Sequence, residues 1–411
     1  MPEMTLEGRF AADGLLQSLS SRTPGPFFVY NERGVRESCA RLHTAFSEYP
    51  AFSALFPVRM NPNPQILRLL QENGCGALCA SEAELLLALR SGFAGKEIVY
   101  APFLSSPRAD ALVCEIGALR VLDAPSALPE RLPERVLLRC RAETGDARTL
   151  PGKSGGKSGM TQPELRALIP VCRARGAEEF GLSFAAADCA FDTDALVTAV
   201  RLLLRMVKNL STRTGKGFFA LAVSGGIPPV CDELSQLARL LLQLRHEFPC
   251  APDRLMLAPG RFLMEQNGIL VGHVLAVKEL ARTSLLTDLS AAQLLRPMLV
   301  ASRHRVYAPG KTASRGQFLC DIYGTFPTGA DRLAQRCPLP ELSAGDLIVL
   351  EQTGADAASL SSAYAGALPC AEYLLCADGS VQKIAGAWDA ERWLSVFAQD
   401  CCEQVLPPQK P

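Results

Sequence analysis

The stretch ALFPVRMNPNPQILRLLQENGCGALCASEAELLLAL, Ala54 to Leu89, alternates two kinds of pattern. A short apolar run meets a single cation, Arg59, and a turn punctuated by Pro62 and Pro64 opens the next segment. There Ile66, Leu69 and Leu70 recur at helical spacing, and Gly74 follows the helix end. GALCAS then reads as a second strand and SEAELLLAL as a second helix. Strand, helix, strand, helix in succession is the signature of parallel βα units.

Outward from this stretch the alternation continues. EIVYA, LRVLDA, RVLLRC, EFGLSFA, FFALAVSGG and RLMLAPG complete a set of eight candidate strands, and DTDALVTAVRLLLRMVKNLS and VCDELSQLARLLLQLRHEF are helical runs between them. The expected fold is a (β/α)₈ (TIM) barrel over residues 33–270. After Gly268 the texture changes to GILVGHVLAVKEL, SLLTDLS, HRVYA, QFLCDIYGTF, DLIVLEQTG and AEYLLCADGSVQKI, strands parted by Gly, Pro and Asp. This predicts an antiparallel β domain from residues 271–411, closed by a helix around DAERWLSVFAQD. PFFVYN precedes the first barrel helix and is expected to join the β domain, which then takes in residues 1–32.

Lys+Arg and Asp+Glu are equal at 42 each, with 48% apolar residues. That balance argues against a nucleic-acid or anionic-membrane surface. The N-terminal residues lack a basic segment followed by an apolar run, and no apolar segment reaches spanning length, so a cytoplasmic protein is expected. Fifteen cysteines are scattered without a matched pair of C-x-x-C motifs, and only four His accompany them. Free thiols and no metal site are the expectation.

Three motifs invite chemistry. PGKSGGKSGM, Pro151 to Met160, has Pro151 where a phosphate loop needs glycine, and reads as a barrel loop leading into a Thr-capped helix. LAVSGGIPP and LAPGRF end the last two barrel strands in glycine-bearing loops, where bare backbone N–H groups can approach an anion. Cys320 sits among residues of alternating β character and reads as a strand residue rather than a nucleophile. Arg59 is the remaining question, because strand ends are where barrels keep their reactive groups.

Taken together, TPGPFFVYNERGVRESCARL, NPNPQILRLLQENGCGALCASEAELLLAL, APGRFLMEQNGILVGHVLAVKE, LLRPMLVASRH, ELSAGDLIVLEQTGAD and SLSSAYAG resemble the fold-type III pyridoxal-phosphate (PLP) decarboxylases, the family of diaminopimelate and ornithine decarboxylases. The resemblance implies a PLP lysine before ANPNP, and Arg59 occupies that position. A guanidinium stays protonated and offers no free amine for an imine. The pyridinium-pairing glutamate of EPGR is Ala258. The ring-stacking histidine and phosphate-facing serine become Ala185 and Asp188. Pro327 and Thr328 stand at the reactive cysteine and the acid that follows it, and GAY reads Gly354-Ala355-Asp356. Gly260, Arg261, Asp331, Arg296-Pro297 and the Gly345-Asp346 turn persist.

This pattern predicts a binding or regulatory pseudoenzyme with no cofactor. Ser224, Gly225, Gly226, Gly260 and Arg261 would form a vestigial phosphate site, and Arg59, Asp188, Arg296 and Asp356 a pocket for a small anion. Arg59 is expected to pair with Asp188 or Asp356. Partners would be a second copy or an intact paralogue, since the family's site forms between subunits. The alternative is an active decarboxylase that holds PLP through another lysine, Lys157 being the obvious loop candidate.

Overall fold

The structure, a computed structural model, describes residue 10 and residues 14–125, 128–141, 158–185, 193–214, 217–279, 282–311 and 318–398. Two compact units divide the chain: Glu32–Asn267 with Gly354–Ser359, and Met1–Asn31 with Gly268–Thr353 and Leu360–Pro411.

The chain enters through α1 (Leu15–Ser20) and β1 (Phe27–Asn31) of the second unit. The first unit then runs through α2 (Glu32–Ala45), β2 (Ala51–Pro57), α3 (Pro64–Glu72), β3 (Gly76–Cys79), α4 (Glu82–Arg90), β4 (Ile98–Tyr100), α5 (Pro107–Ile116) and β5 (Leu119–Leu122). It continues with β6 (Arg135–Arg139), α6 (Gln162–Ala174), β7 (Glu179–Ala185), α7 (Thr193–Thr214), β8 (Ala220–Ser224), α8 (Leu234–Glu247), β9 (Arg254–Ala258) and the short α9 (Gly260–Met264). β2 to β9 pair in sequence order, all parallel, and β9 closes on β2, so this is the expected eight-stranded barrel.

Local chemistry explains where the elements start. Asn63 accepts the Gln65 N–H at 3.0 Å and Pro64 fills the first helical position of α3, which needs no donor. Thr161 and Glu164 form a reciprocal capping box at α6. Inside the barrel Leu55, Leu78, Val99, Val121, Leu137 and Met256 pack into one cluster. Each large side chain removed from water there contributes roughly 1.5–3 kcal/mol.

The second unit is a nine-stranded sheet. It contains β10 (Gly268–Glu279), β11 (Thr283–Thr287), α10 (Arg296–Val300), β12 (Val306–Tyr307), β13 (Phe318–Tyr323), β14 (Arg332–Leu339), β15 (Leu347–Glu351), β16 (Ala371–Leu375), β17 (Val381–Ala385) and α11 (Ala390–Ala398). The longest path runs β14-β13-β11-β10-β1-β16-β17, with β15 joined to β10 and β12. Most ladders are antiparallel as expected, but β1–β16 and β11–β13 are parallel, so the sheet is mixed. β1 is paired on both edges and buried along its whole length, with Phe27 and Val29 packed among Phe10, Leu16 and Val349, and PFFVYN accordingly shows no polar alternation. The sequence reading omitted β14. Its charged, proline-bearing composition suits the sheet edge it occupies, opposite Leu319 at Pro338.

Near α1 the Ser20 Oγ lies 2.6 Å from His273 Nε2, and His273 Nδ1 lies 2.8 Å from Asp288. This is not a nucleophilic triad. The N–H groups of Ser21, Arg22 and Thr23 are all bonded to α1 carbonyls, so none is left beside Ser20 to hold an oxyanion. The trio ties α1 to β10. The described cysteines are all free thiols, and among the described residues no helix is long and apolar enough to cross a membrane.

Candidate functional site at the barrel mouth

The first barrel strand ends at Pro57, three residues earlier than ALFPVRM suggests, and Val58–Met60 forms a single 3-10 turn. Pro57 carries no N–H to continue the ladder, and Asn61 N–H bonds back to Val58 O at 3.2 Å. Arg59 is thus presented on an exposed turn at the C-terminal end of β2 rather than on the strand itself. Residues 354–359 clasp this turn. Met60 O accepts the Asp356 N–H at 2.8 Å and Ser359 Oγ at 3.2 Å, while buried Asn61 donates to Gly354 O at 3.1 Å.

The expected pairing of Arg59 with Asp356 does not occur. No ion pair joins the two among the described residues. It is the Asp356 backbone, in a left-handed conformation at φ 54°, that meets the turn. Asp188 and Lys157 lie outside the described residues, as does most of the Pro151–Met160 loop. The charge of Arg59 is instead felt at Glu84, whose carboxyl it favours in the ionised form, and at Arg139, whose guanidinium it opposes.

Glu84 and Arg139 escaped the sequence reading, and so did Asp123. Glu84 sits in the first turn of α4 and accepts the Ala80 N–H at 2.8 Å. Burial raises its carboxyl above the ordinary value, against the opposing pull of that N–H and of Arg59. Arg139 ends β6, with its side chain 10% exposed, and lies 3.5 Å from Asp123. Asp123 also accepts from Ser158 Oγ and the Gly159 N–H, each at 3.0 Å. Arg139 stacks over Phe103 at 5.6 Å, yet its Nε is buried with no partner. Burial lowers its pKa, opposed by Asp123. One clue was available in the sequence: both residues fall at the C-terminal ends of predicted strands.

A raised carboxyl has a sign. Glu84 holds its proton more tightly folded than unfolded, so its contribution is present at low pH and fades as pH rises through the folded pKa. Glu84→Gln should therefore gain stability relative to the parent at pH 8 and not at pH 4, in thermal melts at the two pH values. Equal shifts at both would show that the carboxyl's charge is not penalised.

The glycine loops keep their shape. Gly225 and Gly226 follow Ser224 with φ of 84° and 88°, a conformation that a side chain would resist, and a Cβ on Gly226 would meet Leu196 at 2.9 Å. Such consecutive turns form anion-receptive concavities. Gly225 N–H, however, bonds to Ala258 O at 3.3 Å. Gly260 packs where a Cβ would run into Met60 and Pro57, which brings the start of α9 against the Arg59 turn.

The other positions fall in the sheet unit. Pro327 and Thr328 are exposed between β13 and β14, and Asp331 accepts the N–H groups of Ala291 and Phe326, each at 2.7 Å. Arg296 is buried at the start of α10. Cys320 is a buried β13 residue, as read from the sequence, and burial raises its thiol.

PLP needs an amine and a partner for its ring nitrogen. Among the described residues of the barrel unit the lysines are Lys96 and Lys208. Lys96 precedes β4, at the N-terminal end of the strands, and Lys208 is exposed on α7. Neither is at the C-terminal mouth. Ala258 offers the ring a buried methyl, and Ala185 offers neither aromatic face nor donor. The glycine cradle suits a phosphate, but the rest of the described mouth does not fit the cofactor.

This barrel, its mixed sheet and the glycine-bearing strand ends define a PLP-decarboxylase type of protein. The chain belongs to the pyridoxal-dependent decarboxylases: residues 27–354 match the family described as "Pyridoxal-dependent decarboxylase, C-terminal sheet domain". Protein TabA of Pseudomonas amygdali pv. tabaci is 29% identical over 381 residues, covering 90% of each chain. The diaminopimelate decarboxylase of Methanothermobacter thermautotrophicus is 26% identical over 360 residues, covering 82% of this chain and 84% of its own. In fold, the diaminopimelate decarboxylase of M. jannaschii, solved with L-lysine, superposes with a TM-score of 0.85 at 19% identity over 94% of each chain.

Proposed function

We propose that this chain is a pseudoenzyme of its family, a binding or regulatory protein that has lost PLP-dependent decarboxylation. The observation that carries the reading is Arg59: a guanidinium on the turn after β2, at the position where the family resemblance places the imine-forming lysine, with no described lysine elsewhere at the mouth. Ala258 and Ala185 support it, because a ring-nitrogen partner and a stacking side chain are replaced by methyl groups. The exposed Arg59 and the glycine turn at Gly225–Gly226 instead favour a small anion. The protein partner on this reading is a second copy or an intact paralogue whose activity it modulates. The test is a spectral titration of the purified protein with PLP. No imine band should develop, and a band that builds and saturates would overturn the reading.

A further inference from the structure

A second anion-receptive feature lies wholly within the sheet unit. A groove of about 1100 Å³ runs between α10, β12 and β14, slightly above the ~300–1000 Å³ range of small-molecule sites. None of Arg59, Gly225, Gly226, Arg261, Arg296 or Asp356 lines it. Among the described residues, every charged side chain in its wall is cationic: Arg303, Arg305, Lys311, Arg332 and Arg336, with no Asp or Glu. Such one-sidedness is unexpected in a chain with 42 cations and 42 acids.

Acids outside the wall neutralise two of the five. Arg305 Nε lies 3.6 Å from Glu351, and Lys311 Nζ lies 2.8 Å from Asp346. Arg303, Arg332 and Arg336 form no ion pair among the described residues. His304, whose ring bonds to Glu351 O and Ser302 Oγ, is buried, and desolvation lowers its pKa, so it adds no charge at neutral pH. Met298, Tyr307 and Leu339 give the wall an apolar stretch beside the cations.

Arg336 shows how the cluster is assembled. β14 carries an extra residue opposite β13 between Ala334 and Cys337, and Arg336 takes up that bulge with φ 51°. Glycine is the residue that such a backbone favours. The conformation is held by Asp321, whose carboxylate accepts the Arg336 N–H at 2.9 Å and lies 3.5 Å from Arg282. A long cation at a glycine-type position carries backbone strain.

We propose that this groove binds a small polyanion, a molecule with two or more adjacent phosphate or carboxylate groups and room for an organic body. Guanidiniums without an acid partner, of which Arg332 meets only the neutral Gln335 amide, suit such forked oxygens. A compact concave cluster on an otherwise neutral chain fits a small ligand better than the extended basic stripe a nucleic acid requires.

Isothermal titration of the full chain with inorganic pyrophosphate, repeated with citrate, tests this. Saturable binding that weakens with added salt is expected. Pyrophosphate alone would assign the site to phosphates, and citrate as well would widen it to carboxylates. Arg336→Gly should weaken binding about tenfold or more, the loss of one charge-assisted contact. Its melting temperature should hold or rise, because glycine adopts the bulge without strain. Adding Arg303→Ser should remove binding. Arg59→Ala separates this groove from the barrel mouth. Binding that survives Arg59→Ala and falls in Arg336→Gly belongs to the groove, whereas the reverse pattern, or no saturable binding of either probe, overturns the assignment.

Discussion

Protein incubated with PLP, reduced with borohydride and digested should yield no pyridoxyl-modified peptide, and decarboxylation of diaminopimelate or ornithine should stay at background. The amine is the group that the chemistry cannot do without. A guanidinium keeps the positive charge at Arg59 but has no lone pair to form the imine, and losing a covalent nucleophile lowers turnover by about three orders of magnitude or more. Arg59→Lys is the internal control. It returns an amine to the turn after β2, beside the preserved Gly225–Gly226 turn, and reduction should then mark that one position. An adduct on any lysine of the parent protein, Lys157 included, would restore the active-decarboxylase alternative.

Asp123→Ala should cost about 3–5 kcal/mol in urea unfolding, the range for removing one member of a buried ion pair. The side chains of Arg139 and Asp123 are only 10% and 12% exposed, and Arg139 Nε already lacks a partner, so the guanidinium has little water to fall back on. The same variant also strips the acceptor from Ser158 Oγ and the Gly159 N–H, the first described residues after 142–157. Asp123→Ala combined with Arg139→Met should be markedly less damaging than the sum of the two single changes, since no buried charge is stranded. Strict additivity would mean that the pair contributes nothing as a pair.

The barrel was legible because parallel strands covered on both faces read as unbroken apolar runs, and all eight fell where such runs occur. The family was legible too, from motifs spread along most of the chain. The mouth was less so. Arg59 stands out because it interrupts a strand pattern, but the turn that displaces it from β2 is clasped by residues 354–359, far away in sequence. Asp123, Arg139 and Ser158 become neighbours only when β5 and β6 align in the closed barrel, and nothing local in their spacing marks them. For the same reason the sequence does not distinguish an Arg59–Asp356 ion pair from the contact that forms: position along the chain does not reveal that a backbone N–H, rather than a carboxylate, reaches the turn. The left-handed Arg336 likewise depends on how β14 bulges against β13.

β1 has a consequence for the order in which the protein can be made. The strand leaves the ribosome early, yet Phe27 pairs with Val271 on one side and with Ala371 on the other. The whole barrel sequence is synthesised while FFVYN waits with both edges bare. Helix–strand units that close with their immediate neighbours can form in that interval, but the sheet cannot be completed until its last strands emerge. A nascent chain stalled just after β9 would therefore carry a folded barrel and an unsatisfied, largely apolar strand. That strand is a natural handle for a chaperone, and in truncated products a seed for aggregation.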